Sequence, residues 1–174
     1  MRNIVRGIPA ATLLALAVLA GCSRPVLEEQ SYRKAGAPIY SIAAFDPARL
    51  PGTWTEVASF APEGTRCRAG GLTITQAADG LQASGRLCRA GRDVGQNGKL
   101  SPIGPGRLWL SGADEPLWVV WVDTDYRTLV LGTPSGHFGW ILNRGGQLPP
   151  DRMKAAREIL DWNGYDLSKL QVLR

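Results

Sequence analysis

The chain of 174 residues is poor in the side chains that carry out chemistry. It has one histidine, His137, in Ser135-Gly136-His137, a stretch that reads as a turn. A Ser/His/Asp or Cys/His constellation needs that histidine beside a nucleophile and an orienting acid. No such set can be placed around it, so no catalytic residue is assigned and an enzyme is not expected. His, Cys, Asp and Glu nowhere cluster at metal-ligand spacing, which leaves neither a metal nor a cofactor to expect. Gly132-Thr133-Pro134-Ser135-Gly136 lacks the Lys and the following helix of a phosphate loop and reads as a hairpin turn. Asp79, Asp123 and Asp125 fall at turns, where ordinary turn chemistry accounts for them. Lys and Arg exceed Asp and Glu to give a formal net charge of +5, but the excess is spread along the chain. Without a basic run interleaved with aromatics, nucleic acid is not expected as a partner.

Cysteine is scarce as well, at three residues, and the first is informative by position. Arg2 and Arg6 form a positive start, and residues 8–20 form an apolar run too short to span a bilayer. The run ends in Leu19-Ala20-Gly21-Cys22, which resembles a bacterial lipobox. That resemblance implies cleavage before Cys22, acylation of its thiol and anchoring through several acyl chains. Ser23, rather than Asp, follows it, which resembles default sorting to the outer membrane. Loss of Arg2 and Arg6 lowers the net charge by two. The expected organisation is a signal peptide over 1–21, a lipidated polar tether over 22–42 and one folded domain over 43–174.

Cys67 and Cys88 then remain as an even pair in an oxidising compartment. Ala78-Asp79-Gly80 is a turn signal between two strand-like stretches. A hairpin centred near residues 77 and 78 sets the two cysteines opposite each other near its open end, and predicts a disulfide; two buried free thiols are the alternative.

From Gly52 the chain reads as short strands punctuated by Gly, Pro and Asp: 52–60, 70–77, 80–88, 92–101, 106–112, 116–123, 126–133 and 137–144. The fourth is polar and Gly-rich. Eight strands with short connections predict an all-β, antiparallel up-and-down barrel. Asp46 caps a short helical turn that has Pro47 at its first position. Met153, Ala156, Ile159 and Leu160 share one face at helical spacing, and Asn163-Gly164 stops that helix, which is expected to pack outside the barrel. Residues 165–173 add a short final strand.

Three blocks carry a family resemblance. The stretch Pro47-Ala48-Arg49-Leu50-Pro51-Gly52-Thr53-Trp54 resembles the helical turn and Gly-x-Trp opening of a lipocalin. Asp123-Thr124-Asp125-Tyr126 resembles the turn of its second block, and Arg144, closing Trp140-Ile141-Leu142-Asn143-Arg144, resembles the third. The tail Asn163-Gly164-Tyr165-Asp166-Leu167-Ser168-Lys169-Leu170 is similar to the end of bacterial lipocalins. The resemblance spans roughly residues 43–174. It implies a barrel floor built from Gly52, Trp54 and Arg144, with the guanidinium lying over the indole. Thr55 stands where bacterial members often have Tyr, and the stretch from Cys67 to Gly112 is shorter than the pattern; both departures bear on the depth of the cup.

Alternation from these landmarks places Glu56, Ala58 and Phe60 inside with Trp54, and Leu142 and Trp140 inside with Arg144. The resemblance favours Leu117, Val119 and Trp121 inside, with Trp118 and Val120 outward beneath the helix. It adds Tyr126, Thr128, Val130 and Gly132 from the seventh strand, and Leu108 and Leu110 from the fifth. The expected ligand-binding set is Ala58, Phe60, Leu108, Leu110, Leu117, Val119, Trp121, Val130 and Trp140. The implied ligand is a small lipophile such as a fatty acid or lysophospholipid, and the membrane is a second partner through the acyl chains. A small eight-stranded barrel can also fill itself with side chains. It would then act by protein contact through an exposed patch near Trp109 or Trp118. Nothing in the chain bears on its oligomeric state.

Overall fold

A computed structural model describes residues 30–65, 67–145 and 147–173; Cys22 and the stretch that resembles a lipobox lie outside them. The strands are β1 (Gly52–Phe60), β2 (Gly71–Ala77), β3 (Gly80–Arg89), β4 (Arg92–Gly104), β5 (Arg107–Leu110), β6 (Leu117–Val122), β7 (Thr128–Gly132), β8 (Gly139–Asn143) and β9 (Leu170–Val172). They form one antiparallel sheet in the order β2-β3-β4-β5-β6-β7-β8-β1-β9, and β2 also pairs with β1. The first eight strands therefore close into a barrel, while β9 pairs with the far half of β1. The helix α1 (Pro150–Trp162) packs outside on β6 and β7.

The polar fourth strand is the longest, and its backbone explains why. Ala90 and Gly91 both have positive φ, so a two-residue turn joins Arg89 to Arg92 with the twist a hairpin needs. β4 then pairs along its length with β3 and at its end with β5. A side chain at Gly98 would run into the Ser111 carbonyl.

The floor has the expected construction. The Arg144 guanidinium lies 4.2 Å above the Trp54 ring. It donates to the carbonyls of Pro51 at 2.8 Å, Arg49 at 2.6 Å and Leu50 at 3.0 Å. Trp54 Nε1 donates to the Leu50 carbonyl at 2.9 Å. Gly52 has φ +133° and faces the guanidinium so closely that a Cβ would collide with it. Asp46 caps the 3-10 turn Pro47–Arg49 as its spacing implies. In the second block, Asp123 accepts from the amides of Arg127 and Thr128, both at 2.6 Å. Burial acts to raise its pKa, but these bonds and the Arg127 side chain hold the carboxyl below its ordinary value.

Two apolar layers result. The inner one, within the barrel, includes Trp54, Leu72, Leu87, Leu108, Leu110, Leu117, Val119, Phe138, Trp140 and Leu142. The outer one, between barrel and helix, holds Ala58, Phe60, Val130, Ile141, Ala156, Leu160 and Tyr165, with Trp118 and Trp121 packed against it.

Four residues of the expected ligand-binding set therefore lie outside, as do Thr128 and Gly132 on β7, which face Arg152 and Tyr165; bulges explain three of the four. In β1 the register shifts between Glu56 and Ala58, so one extra residue turns Ala58 and Phe60 toward the helix. In β6 the shift between Val119 and Trp121 turns Trp121 outward and puts Val122 inside. On β7, Leu129 and Leu131 face inward and Val130 outward. Tyr126, with φ +55°, belongs to the turn, so alternation counted from it does not enter the strand. Trp118 and Val120 do lie in the outer layer, as expected.

The tether is shorter than the 22–42 boundary implies. Tyr32 is buried in the outer layer. Arg33 donates to three carbonyls, those of Asn163, Pro134 and Ala37. The Ile42 amide donates to Val119 at 2.8 Å. The folded domain thus begins by Ser31, because polar residues here satisfy backbone groups rather than water.

Candidate functional site

Four connections gather at one end of the barrel: 61–70, 90–91, 111–116 and 133–138. Between them lies a crevice of ≈ 20 Å³ lined by Leu72, Leu87, Arg89, Gln96, Leu110, Ala113, Glu115, Leu117, Thr133, Phe138 and Trp140. Its walls are mostly hydrocarbon and aromatic, with Arg89, Gln96, Glu115 and Thr133 as the polar members. Glu115 accepts from Ser135 Oγ at 2.6 Å and the Ser135 amide at 3.1 Å, which ties two mouth loops together. Arg89 lies 4.0 Å over the Phe138 ring and pairs with Asp114 at 3.8 Å. Phe138 stacks on Trp140 at 5.8 Å between centroids. Arg89, Phe138 and Trp140 therefore form a layered plug. Wider hollows of ≈ 600 Å³ beside the floor and ≈ 420 Å³ along α1 are open surface features, outside the barrel.

Deeper on the same side, Glu56 is 1 % exposed. Both its carboxyl oxygens accept from the Cys88 amide, at 3.1 and 3.0 Å. The Cys88 carbonyl in turn accepts from Trp140 Nε1 at 2.6 Å. Burial pushes the Glu56 pKa up to about 7, against the lowering effect of the Cys88 amide. The Cys67–Cys88 disulfide is present, with Cα atoms 5.7 Å apart. Cys67 lies in the β1–β2 connection rather than in the hairpin, since β2 starts at Gly71 opposite Arg86.

Of the expected ligand-binding set, Leu108, Leu110, Leu117, Val119 and Trp140 face the interior. Leu110, Leu117 and Trp140 line the crevice. Ala58, Phe60, Trp121 and Val130 belong to the outer layer and cannot touch a ligand in the barrel. Sequence reasoning missed Leu72, Leu87 and Phe138. Their signals were period-two alternation in Leu72/Ile74 and Leu81/Ala83, and the two-residue step from Phe138 to Trp140. Arg89 and Glu115 had no such signal. The arrangement is an apolar lining with Arg89 and Glu115 as its charged members. Among the described residues no group of three or more His, Cys, Asp or Glu could hold a metal ion.

Comparison with known proteins agrees with this architecture. The family model of the lipocalin-like domain matches residues 108–174, which include the second and third blocks and the helix. Temperature-induced lipocalin-1 of Arabidopsis thaliana is 40% identical over 53 residues, 30% of this chain and 28% of that protein. The match thus spans less than a third of that relative's length. Among solved structures, the crystal structure of the major allergen Per a 4 from cockroaches aligns with a TM-score of 0.59 at 13% identity, covering 79% of this chain and 94% of that one. At that identity the likeness concerns the fold: a closed antiparallel barrel, lipocalin-like, with one helix outside.

Proposed function

We propose that this protein binds a small hydrophobic ligand, a fatty acid or lysophospholipid, at the mouth of its barrel while anchored to the outer membrane by acyl chains on Cys22. The observation that carries the binding reading is the crevice itself, an apolar cleft inside a closed barrel with Arg89 and Glu115 on its rim. Ligand sites commonly take this form, apolar walls with few polar groups. As it stands the crevice, at ≈ 20 Å³, is far below the several hundred cubic ångströms an acyl chain fills. Ligand must therefore displace the Phe138 plug, which Arg89 holds by a contact worth about 0.5–2 kcal/mol. The anchor reading is supported by Leu19-Ala20-Gly21-Cys22 after its apolar run.

The test is titration with palmitate and with lysophosphatidylcholine, followed by tryptophan emission. Saturable binding, lost in Ala113→Trp, which blocks the crevice without entering the core, is the expected result. A flat titration favours the second reading, a filled barrel that acts by protein contact. The small crevice and the exposed Ile103 and Trp109 on adjacent strands support that alternative.

A further inference from the structure

The described chain begins beside the mouth. Ser31 Oγ donates to the Ser135 carbonyl at 2.8 Å, the Tyr32 amide to Gly136 at 2.8 Å and Arg33 Nη1 to Pro134 at 2.9 Å. Those acceptors belong to the 133–138 turn, whose Thr133 and Phe138 line the crevice. The segment also fastens the end of α1. Arg33 Nε donates to the Asn163 carbonyl at 2.8 Å and the Lys34 amide to Gly164 at 2.8 Å. Mouth turn, residues 31–34 and helix end are thus one continuous piece of surface.

That surface carries two unusually bare aromatics. Trp162 is 66% exposed and Tyr40 is 50% exposed, and their rings sit 5.0 Å apart. The Tyr40 amide is held by Asn163 Oδ1 at 2.8 Å, so the pair is fixed to the same helix end. Lys34 and Lys169 border a hollow of ≈ 190 Å³ with Tyr32 and Arg33; Asp166 is its one acid, and Glu63 pairs with Lys169 at 3.9 Å. Trp and Tyr beside Lys make up the composition that settles at a membrane–water interface.

Chain length supplies the remaining constraint. Seven residues separate Cys22 from Gln30. Fully extended, that connection reaches about 28 Å. A domain of this size has a radius of gyration of about 15 Å and so a diameter near 40 Å. A tether shorter than the body it holds cannot let the body turn its far end to the anchor.

We propose that the face bearing residues 31–34, Tyr40 and Trp162 lies against the anionic bilayer that holds Cys22, with the barrel mouth beside it. This rests on the reading of Cys22 as the lipid anchor. Lys side chains near such a surface are attracted to it, a second hold beside the acyl chains. The mouth can then take an acyl chain from the lipid surface over a short path.

The experiment uses the mature acylated protein in phosphatidylethanolamine–phosphatidylglycerol vesicles. Subtracting the emission of Trp162→Phe from that of the parent isolates Trp162. Docking gives quenching by acyl-chain-brominated lipid and shields Trp162 from acrylamide about threefold. Lys34→Glu with Lys169→Glu restores acrylamide access while the protein stays on the vesicles. Protein that partitions into vesicles but leaves Trp162 equally open to acrylamide overturns the docking and leaves the anchor standing. Protein that fails to partition overturns the anchor, and this proposal with it.

Discussion

The two apolar layers of this molecule are both buried, both aromatic and built on the same strands, yet only one opens to solvent. In the outer layer Phe60 stacks on Tyr165 at 4.8 Å and meets Tyr32 at 5.7 Å. Helix, N-terminal segment and β9 cover it from three directions. Tyr165 locks it by donating to the Phe138 carbonyl at 2.8 Å and accepting from the Thr133 amide at 2.9 Å. The inner layer is sealed at the floor by Trp54 and Arg144, but at the mouth only by a stacked plug. The outer layer is therefore a stability element and the inner one is the part that can admit something. Phe60→Ala separates the two most sharply. It removes a wholly buried ring and costs about 3–5 kcal/mol, read from urea unfolding. Ligand affinity of the variant that remains folded stays at the parent value, because Phe60 does not reach the barrel interior.

The disulfide belongs to the mouth side of this division. It ties the β1–β2 connection to β3 across 21 positions, next to Glu56 and Trp140. Replacing both cysteines by Ala lowers stability by about 3 kcal/mol through the unfolded chain. Hydrogen exchange is expected to rise at residues 67–71 and 86–89 while amides under α1 keep their protection. Equal loss in both layers would mean that they unfold as one unit.

The same division marks where the sequence could be read and where it could not. Every barrel strand was legible from turn residues and apolar spacing, and so was α1 with its Asn163-Gly164 stop. Which way those strands faced was legible only up to the first bulge. One inserted residue in β1 and one in β6 carried Phe60 and Trp121 across the sheet. A bulge is a backbone event with no composition of its own, so alternation cannot announce it. Residues 30–42 were opaque for a related reason. Arg33 is spent on three carbonyls, and a chain that pays its polar groups into backbone bonds looks in sequence like one that pays them into water. At the mouth, Trp140 was legible from its strand. Arg89 and Glu115 depend on loops meeting in space.

Glu56 sharpens the contrast by pH. Its pKa in the fold is about 7, against 4.5 as a free side chain, so the folded protein holds the proton more tightly than the unfolded chain. That contribution is fully present below pH 4.5 and is lost as the pH rises through about 7. Glu56→Gln keeps an acceptor for the Cys88 amide without the charge. Its thermal midpoint matches the parent's in acid and exceeds it above pH 7, by the equivalent of about 3 kcal/mol. Parallel midpoint curves across that range would show that the carboxylate finds compensation when charged.

Phe138→Ala acts on the plug alone. Phe138 is buried, but it lies at the mouth beneath Arg89 rather than in the sealed layer. Truncating it costs stability, since it removes the stack on Trp140 at 5.8 Å and the seat of the Arg89 guanidinium. It also enlarges the crevice and spares the ligand the work of displacing the ring. Palmitate is then expected to bind up to about tenfold more tightly, which corresponds to the roughly 1.4 kcal/mol that the cation–ring contact and stack contribute together. Arg89→Gln alone should show part of that gain, because the ring stays and only its cover is weakened. If Phe138→Ala binds no better than the parent, the ring is a wall of the site rather than its plug, and the capacity of the barrel must come from movement of the 111–116 connection instead.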